Sequence, residues 1–377
     1  MKIGLDVAQT SAERAGCAWF ADALAKAMVH VARPKGHSFV LYHQFGDWIN
    51  GEPGHGTHLT GKDVEMPMRS LLPVPARALW REIEAGTADL PGSPDVVIAS
   101  SFHAPRVDPA KLIYVIHDLV FWTHPDYATD ATRVVCQREL GQAIGRAAAF
   151  LFVSESTRDD FESFFPGWLA SSGRPHAIAS GASRWAVREN LVVPKQTAPW
   201  LMVGSVEPRK NHRCALDAYE LYHAQSNQPR PFKIVGGRGW HSEATHRRIS
   251  ALIGRGLPVN YVGYVDDRTL RAAYHEAFAL LQPSWHEGFG LPVLEAFSQG
   301  LPVIASDTAS LPEVSAGAAL HCPPSEPTIW AKKMLQLESD PQLHQRMVQA
   351  GLARANHYSW EKTAKTVLEL AEGLLVT

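Results

Sequence analysis

The sequence predicts an α/β fold in two successive halves, each with a doubly wound parallel sheet. Short apolar segments alternate with helical patterns along the chain, which is typical of βαβ units. The chain has 377 residues, of which 45% are hydrophobic and 20% charged, enough for more than one core. A polar, proline-bearing segment at residues 189–199 indicates a linker between the halves.

The first half contains five predicted strands and three predicted helices. The strands are expected at Lys2–Asp6, Ser38–Tyr42, Asp95–Ser100, Leu112–His117 and Ala149–Ser154. The helices are expected at about Glu13–Val31, Asp130–Arg146 and Glu155–Phe164. Ser154 or Ser156 suits the N-cap of the last helix. Residues 43–75 are rich in Gly, Pro and His and predict loops near the mouth of a cleft.

The second half repeats the alternation. Its strands are expected at Trp200–Gly204, Phe232–Gly236, Val259–Gly263, Ala279–Gln282 and Pro302–Ser306. Its helices are expected at about His212–His223, Glu243–Gly254 and Thr269–Ala277, and a last amphipathic helix starts near Ser359. We therefore expect domains at residues 1–190 and 191–358, with residues 359–377 packing back on the first domain.

Composition restricts the class of protein. A formal net charge of −2 argues against a nucleic-acid partner. Cysteines are expected to be reduced packing residues because their spacing suits neither disulfides nor zinc; they are Cys17, Cys136, Cys214 and Cys322. The N-terminus lacks the pattern of a signal peptide, and no apolar run reaches the ~20 residues that span a bilayer. We expect a cytoplasmic protein whose membrane contact, if present, is peripheral.

The segment Pro283–Pro302, PSWHEGFGLPVLEAFSQGLP, carries the strongest indication of function. Glu287 precedes a Gly-Phe-Gly turn, Pro292 suits the first position of a helix, and Glu295 follows near the end of its first turn. The helix N-terminus would favour anionic or polar ligand groups, and the two carboxylates could accept hydrogen bonds from hydroxyls. The combination suits a sugar and a ribose joined through phosphates.

Two further segments place charged or polar residues at predicted strand ends. Gly204–Asn211, GSVEPRKN, sets Arg209 and Lys210 in a strand-to-helix loop, where fixed cations could stabilise a departing diphosphate. His117 and Asp118 end the strand KLIYVIHD and would point towards a cleft. Taken alone, the cations could be solvated and the histidine could simply cap its strand.

Together these segments resemble the retaining glycosyltransferases of family 4, also called glycosyltransferase group 1. Pro283–Pro302 is similar to the family's Glu-x7-Glu signature, Gly204–Asn211 to its E-P-x-K-N segment, and His117-Asp118 with the following LVFWTHPDY to its His-Asp region. The resemblance covers nearly the whole chain. It implies the GT-B fold, in which two Rossmann-like domains face a central cleft.

The resemblance also implies site residues. His117, Arg209, Lys210 and Glu287 are expected to be catalytic, with Asp118 supporting His117. The residues expected to bind the nucleotide sugar are Gly16, Ser205, Tyr264, Val265, Gly288, Phe289, Gly290, Leu291 and Glu295. One segment departs from the family: residues 8–17 read AQTSAERAGC, and of the usual Gly-rich loop only Gly16 remains.

The expected substrate is a nucleotide diphosphate sugar. The stretch HDLVFWTHPDY is most similar to bacterial mannosyltransferases of surface polysaccharides such as lipopolysaccharide, so we rank GDP-mannose first and UDP-hexoses and dTDP-rhamnose next. The acceptor would be a saccharide or a polyprenyl-linked saccharide. No Asp-x-Asp sequence occurs, so we expect a metal-independent enzyme without a cofactor. The segment LLPVPARALWREI at residues 71–83 could touch the inner membrane or form a core-packing helix.

Two other classes of function remain open. A nucleotide-sugar epimerase or a phosphorylase could share the fold; the first would need no acceptor and the second would need free phosphate. A non-catalytic nucleotide-sugar-binding protein is also possible, although such a protein would be expected to lack Glu287, Lys210 or His117. The hypothesis of a catalytic glycosyltransferase requires the loop 287–295 to be near Arg209 and His117 and not to face bulk water.

Overall fold

The computed structural model describes residues 1–11, 16–49, 51, 54–191 and 193–376. The chain divides into two compact units. The first comprises Met1–Pro125, Asp130–Gly181 and Ser359–Thr377, and the second comprises Asp126–Thr129 and Ala182–Tyr358. The main boundary therefore falls at Gly181, before the predicted residue 190.

The first unit is built on a seven-stranded parallel sheet with the order β3-β2-β1-β4-β5-β6-β7. Its strands are β1 (Lys2–Asp6), β2 (Ser38–Tyr42), β3 (Val64–Glu65), β4 (Val96–Ala99), β5 (Lys111–Ile116), β6 (Ala149–Phe152) and β7 (His176–Ile178). The central strands β4 and β6 read VVIA and AFLF and are buried throughout, as expected where both faces of a parallel sheet are covered.

Helices cover this sheet. They are α1 (Gly16–Ala32), α2 (Pro73–Ala85), α3 (Val120–Thr123), α4 (Asp130–Arg146), α5 (Glu155–Phe164), α6 (Trp168–Ser172) and, at the C-terminus, α14 (Trp360–Val376). Helix α14 packs on α1, and the rings of Phe20 and Trp360 meet edge to face at 5.4 Å. Ser154 is the N-cap of α5, where its hydroxyl accepts a hydrogen bond from the Thr157 N–H.

The second unit is built on a six-stranded parallel sheet with the order β10-β9-β8-β11-β12-β13. Its strands are β8 (Trp200–Val203), β9 (Phe232–Val235), β10 (Val259–Gly263), β11 (Ala279–Gln282), β12 (Val303–Ser306) and β13 (Leu320–Cys322). Its helices are α7 (His212–Gln225), α8 (Glu243–Gly254), α9 (Asp267–Glu276), α10 (Leu291–Ser298), α11 (Leu311–Ser315), α12 (Pro327–Ser339) and α13 (Pro341–Ala355).

The structure contains elements that the sequence did not predict, among them β3 and β7 in the first unit and β13, α12 and α13 in the second. Residues 43–75, predicted as loops, contain β3 and the first turn of α2. The predicted helix 13–31 is described from Gly16 onwards, since residues 12–15 lie outside the described part of the chain. Across the described residues, no helix combines the length and apolar character needed to cross a membrane.

Candidate functional site

The predicted cations lie in the loop that joins β8 to α7 in the second unit. Pro208–Lys210 form a single 3-10 turn, and Asn211 follows in the left-handed conformation with φ 56°. The Asn211 side-chain amide donates to the carbonyls of Pro283 and Pro324. The Trp285 N–H in turn donates to the Arg209 carbonyl at 2.9 Å. These bonds tie the cation loop to the loop that carries Glu287.

Glu287 is the centre of the cluster. One carboxylate oxygen accepts from the Lys210 ammonium at 2.6 Å, and the other accepts from the Arg209 guanidinium at 2.6 Å. Gln282 and Ser284 also donate to the first oxygen, at 2.9 and 2.7 Å. A carboxylate has about four acceptor positions. Three donors share the first oxygen, whereas the second oxygen accepts from Arg209 alone among the described residues and retains an acceptor position.

This pairing fixes the charge state of Glu287, whose side chain is only 5% exposed. Burial raises the pKa of the carboxyl group, but the charges of Lys210 and Arg209 outweigh burial and hold the pKa well below its usual range. Glu287 is therefore ionised near neutral pH. A charged carboxylate with this environment is suited to holding two cations in place.

Arg209 lies between two carboxylates. Besides Glu287, its guanidinium donates to Glu207 at 3.1 Å and to the His286 carbonyl at 3.1 Å. The predicted ligand-binding residue Ser205 donates to the second oxygen of Glu207 at 2.9 Å. Lys210 is less constrained, because Glu287 is its one hydrogen-bond partner among the described residues. Two of the three ammonium protons can thus bind a ligand.

The loop after Glu287 is packed inside the second unit. Gly288, Phe289 and Gly290 are all buried, and the Ser310 hydroxyl bridges to the carbonyls of Glu287 and Phe289. The Phe289 ring packs against Tyr358 at 5.6 Å. This burial agrees with the prediction that the loop does not face bulk water. For Phe289, only the backbone is available for the predicted contact with a ligand.

Gly290 sets the start of helix α10. It has φ 98°, a conformation that residues with a Cβ rarely adopt, and an added Cβ would lie 2.9 Å from Leu311. Leu291 begins the helix, one residue before the predicted Pro292. The first turn of α10 therefore presents its backbone N–H groups at the site.

Glu295, the second predicted carboxylate, lies on α10 and is 2% exposed. Its oxygens accept from the Arg184 guanidinium at 2.6 Å and from the Tyr274 hydroxyl at 2.9 Å. Two of the four acceptor positions of this carboxylate are thus used by the protein. Asp267 extends the cluster by accepting from Arg184 and from the Trp185 indole.

The remaining predicted ligand contacts lie in exposed or open positions. Tyr264 is 51% exposed and Val265 is half-buried, in the loop between β10 and α9. Gly16 is the first residue of α1 in the first unit, and a Cβ there would meet nothing within 4 Å. Gly16 therefore shows no steric need for glycine. Residues 12–15 of the atypical loop 8–17 around it lie outside the described residues.

His117 belongs to the first unit, just after β5. Its Nε2–H donates to the Ser100 carbonyl at 2.7 Å, and the rings of Phe20 and Phe102 lie 5.1 and 5.6 Å away. Burial lowers the pKa of His117, although the bond to Ser100 partly offsets it. The imidazole is therefore neutral near pH 7, with its proton on Nε2 and the Nδ1 lone pair available to accept. Asp118 accepts from the N–H of Val120, the first residue of α3, at 3.2 Å.

Sequence reasoning missed His212, which follows the cation loop as the first residue of α7. It is 1% exposed, and neither ring nitrogen has a hydrogen-bond partner among the described residues. Burial, together with the charge of Lys210 and His246, lowers its pKa to about 3. The sequence contains one indication that His212 lies near the site, because it directly follows the Arg-Lys-Asn segment.

Comparison with known sequences places the chain among sugar transferases. Residues 183–354 match the family described as Glycosyl transferases group 1. The O-antigen chain mannosyltransferase B of Escherichia coli is 30% identical over 264 residues, which cover 68% of this chain and 69% of that protein. The serotype-specific mannosyltransferase WbdA of Escherichia coli is 26% identical over 302 residues. That match covers 74% of this chain but only 36% of the longer WbdA.

Solved structures share the whole fold. Sucrose-phosphate synthase from Thermosynechococcus elongatus superimposes with a TM-score of 0.72 at 18% identity, covering 100% of this chain and 99% of that one. The Anabaena protein Alr3699/HepE in complex with UDP-glucose gives a TM-score of 0.64 at 16% identity and covers 100% of both chains. At these identities the comparison establishes the two-domain GT-B fold alone.

Proposed function

Because the chain belongs to the group 1 glycosyltransferase family, we propose that it transfers a hexose from a nucleotide diphosphate sugar to a saccharide or lipid-linked saccharide. Mannose from GDP-mannose is the first choice, in the synthesis of a surface polysaccharide. The 30% identity to an O-antigen mannosyltransferase supports this choice. The observation that carries the proposal is the pair Arg209 and Lys210, held by the buried Glu287 at 2.6 Å each.

In this proposal the two cations stabilise the departing diphosphate. Negative charge develops on the leaving phosphate oxygen as the glycosidic bond breaks, and fixed positive groups lower the barrier more than mobile ones. Glu287 keeps both cations in position before the substrate arrives. The second oxygen of Glu287, which accepts from Arg209 alone among the described residues, keeps an acceptor position for the predicted hydrogen bond from a sugar hydroxyl. Glu295 retains acceptor positions for the predicted contact with ribose.

The proposed chemistry is a front-face transfer with retention of configuration. The acceptor oxygen bonds to the anomeric carbon while the bond from that carbon to the phosphate oxygen breaks. The acceptor proton passes to the leaving phosphate oxygen. A double displacement would require a carboxylate free to bond the anomeric carbon, whereas Glu287 and Glu295 are both engaged with cations. The Nδ1 atom of His117 would accept a hydrogen bond from a sugar hydroxyl.

No metal ion is needed in this scheme, since Arg209 and Lys210 supply the positive charge. Peripheral contact with the inner membrane, at its cytoplasmic face, is part of the proposal for a lipid-linked acceptor. The exposed Leu72 and Val74 at the start of α2 support that contact. UDP-sugars are the second candidate, because a neighbour with the same fold was solved with UDP-glucose.

A screen of nucleotide-sugar donors tests the proposal. Thermal unfolding is measured with GDP-mannose, UDP-glucose and dTDP-rhamnose, and transfer to a mannose-terminated saccharide is measured with and without EDTA. A true substrate at 100 times its Kd should stabilise the protein by about 2.7 kcal/mol. We expect the largest shift with GDP-mannose, and turnover that EDTA does not reduce.

The control for the cation site is a lysine of the same unit. Lys210→Ala should reduce turnover by about 10²–10³, whereas replacement of the exposed Lys332 on α12 should leave it unchanged. Conversion of the nucleotide sugar without an acceptor would indicate an epimerase, and turnover that requires free phosphate would indicate a phosphorylase. Either result would overturn the transferase proposal.

A further inference from the structure

A cavity of about 380 Å³ lies within the first unit between helices α2 and α4. Its walls include Arg77, Arg81 and Glu84 of α2 and Arg138, Glu139 and Gln142 of α4. We call it the α2–α4 cavity. Its volume falls in the range of roughly 300–1,000 Å³ that is usual for small-molecule sites. None of the residues assigned above to the transfer reaction lines it.

Most charges of the α2–α4 cavity neutralise one another. Arg138 pairs with Asp47 at 2.8 Å and with Glu139 at 2.7 Å. Atoms of Asp47, His103 and Glu139 lie within 4.8 Å of one another, a spacing that a cation could use, but the Arg138 guanidinium already supplies positive charge there. Across the cavity, Glu84 accepts from Arg146 at 3.0 Å.

Arg77 and Arg81 are the exception. Both are exposed, and neither has a hydrogen-bond or ion-pair partner among the residues that the structure describes. They are four residues apart on α2 and therefore lie one turn apart on the same face. The cavity wall thus carries two uncommitted guanidinium groups. Arginine binds phosphate oxygens in a bidentate manner, so these groups favour a ligand with two linked phosphates.

The two ends of the α2–α4 cavity differ in polarity. Helices of parallel βαβ units run in the same direction, so the pair Glu84–Arg146 marks the C-terminal ends of both helices. The N-terminal ends carry exposed apolar side chains: Val74 is 77% exposed on α2, and Val134 is 60% exposed on α4. Leu72, just before α2, is 61% exposed. An apolar chain could therefore leave the cavity at this end.

We propose that the α2–α4 cavity binds the diphosphate of a lipid-linked acceptor. Arg77 and Arg81 hold the two phosphates, while Leu72, Val74 and Val134 contact the first part of the lipid chain. The inference rests on the proposed transferase function and specifies its acceptor as a lipid diphosphate. It also gives the exposed apolar residues a ligand of matching chemistry.

Paired acceptors test the inference in the absence of any membrane. One is a mannose-terminated saccharide linked to farnesyl diphosphate, and the other is the same saccharide as a water-soluble methyl glycoside. The variant is Arg77→Glu/Arg81→Glu. We expect its KM for the farnesyl diphosphate acceptor to rise at least tenfold, with KM for the methyl glycoside unchanged.

The matched control is Lys62→Glu/Lys111→Glu. Both lysines are exposed residues of the first unit, near the starts of strands β3 and β5, and the change in charge is the same. This control should keep wild-type KM for both acceptors. Equal melting temperatures of the two double variants would exclude a folding defect.

The possible outcomes separate the two proposals. If the wild type transfers to neither acceptor, the proposed function fails. If it transfers to both and the arginine variant keeps its KM for the farnesyl diphosphate acceptor, this inference alone fails. Vesicle binding gives a further outcome. If that KM is kept but the variant, unlike the wild type, no longer binds phosphatidylglycerol vesicles more tightly than phosphatidylcholine vesicles, the arginines bind lipid headgroups and the assignment to diphosphate is overturned.

Discussion

Lys210 and Glu287 form a buried ion pair with 2.6 Å between the ammonium nitrogen and a carboxylate oxygen. The second oxygen of the same carboxylate pairs with Arg209 at the same distance. A single acid thus holds both cations that the sequence offers for a diphosphate. The consequences of this arrangement can be measured separately for stability and for catalysis.

Breaking the buried pair should be strongly destabilising. Glu287→Gln leaves the buried Lys210 without its counter-charge and leaves Arg209 with Glu207 alone, and we expect a loss of about 3–5 kcal/mol in the free energy of unfolding. In a double-mutant cycle with Lys210→Met, measured by urea unfolding, the two changes should couple by about 0.5–3 kcal/mol.

An exposed pair of the same chemistry provides the control. Lys2 and Glu65 lie 2.8 Å apart with side chains 31% and 50% exposed. Their cycle should give a coupling below about 1 kcal/mol, as is usual for surface ion pairs. Equal coupling in both cycles would show that burial adds nothing to the Lys210–Glu287 pair.

The same Glu287→Gln variant should separate catalysis from nucleotide binding. Loss of the carboxylate frees the cations from a competing anion, so the Kd for GDP should not increase. Turnover should nevertheless fall by about 10²–10³, because cations that are no longer fixed stabilise the leaving group less well. Calorimetric titration with GDP and initial-rate kinetics with the nucleotide sugar provide the two measurements. A parallel weakening of GDP binding and of turnover would contradict the positioning role.

The sequence predicted most of the fold because its main strands are short apolar runs. Strands such as β6, with the sequence AFLF, are buried on both faces and leave little ambiguity. The missed strands lack this signal: β3 has two residues, and β7 and β13 have three residues each, of which at most one is buried. Segment 43–75 was predicted as loops because its Gly, Pro and His content obscures β3.

The site was predictable in its residue types but not in its pairing. Gly204–Asn211 and Pro283–Pro302 were selected independently, and the structure joins them through Glu287 although Lys210 is 77 positions away in the chain. Such a long-range contact depends on strand order, which a single sequence does not give. The engagement of Glu295 with Arg184 could not be foreseen, since Arg184 lies outside every segment that was singled out.

His212 should make the second unit sensitive to acid. Its pKa is lowered to about 3 by burial in the folded state, whereas the unfolded chain titrates near the ordinary value of about 6.5. The unfolded state therefore binds more protons between these two values, and stability is lost as the pH falls from about 6.5 towards 3.

A leucine substitution isolates this contribution. Between pH 6.5 and pH 5, His212 should account for a loss of about 1.6 kcal/mol, because the slope rises from half of 1.36 kcal/mol per pH unit at pH 6.5 to nearly the full value at pH 5. Urea unfolding of His212→Leu should show a smaller loss of stability over this interval than the wild type, by that amount. The control is His58→Leu at an exposed position of the first unit. Identical pH dependence of the wild type and His212→Leu would show that His212 does not titrate in this way.

Tyr274 supports Glu295 and can be tested by removing one oxygen atom. The Tyr274 side chain is 1% exposed, and its hydroxyl donates to Glu295 at 2.9 Å. Tyr274→Phe leaves that carboxylate oxygen without its donor, at a cost of about 1–3 kcal/mol in the free energy of unfolding. Tyr261→Phe, whose hydroxyl has no partner among the described residues, should change stability by less than about 0.5 kcal/mol.

Nucleotide binding by the same Tyr274→Phe variant tests the predicted role of Glu295. If Glu295 holds the ribose, a misplaced carboxylate should weaken the binding of GDP. The binding of inorganic pyrophosphate should not change, because pyrophosphate has no ribose. Competition of both ligands against a fluorescent GDP analogue gives the two Kd values. We expect the Kd for GDP to rise several-fold and that for pyrophosphate to stay constant. A rise in both would mean that Tyr274 and Glu295 support the cation site, and the assignment of Glu295 to ribose would then be wrong.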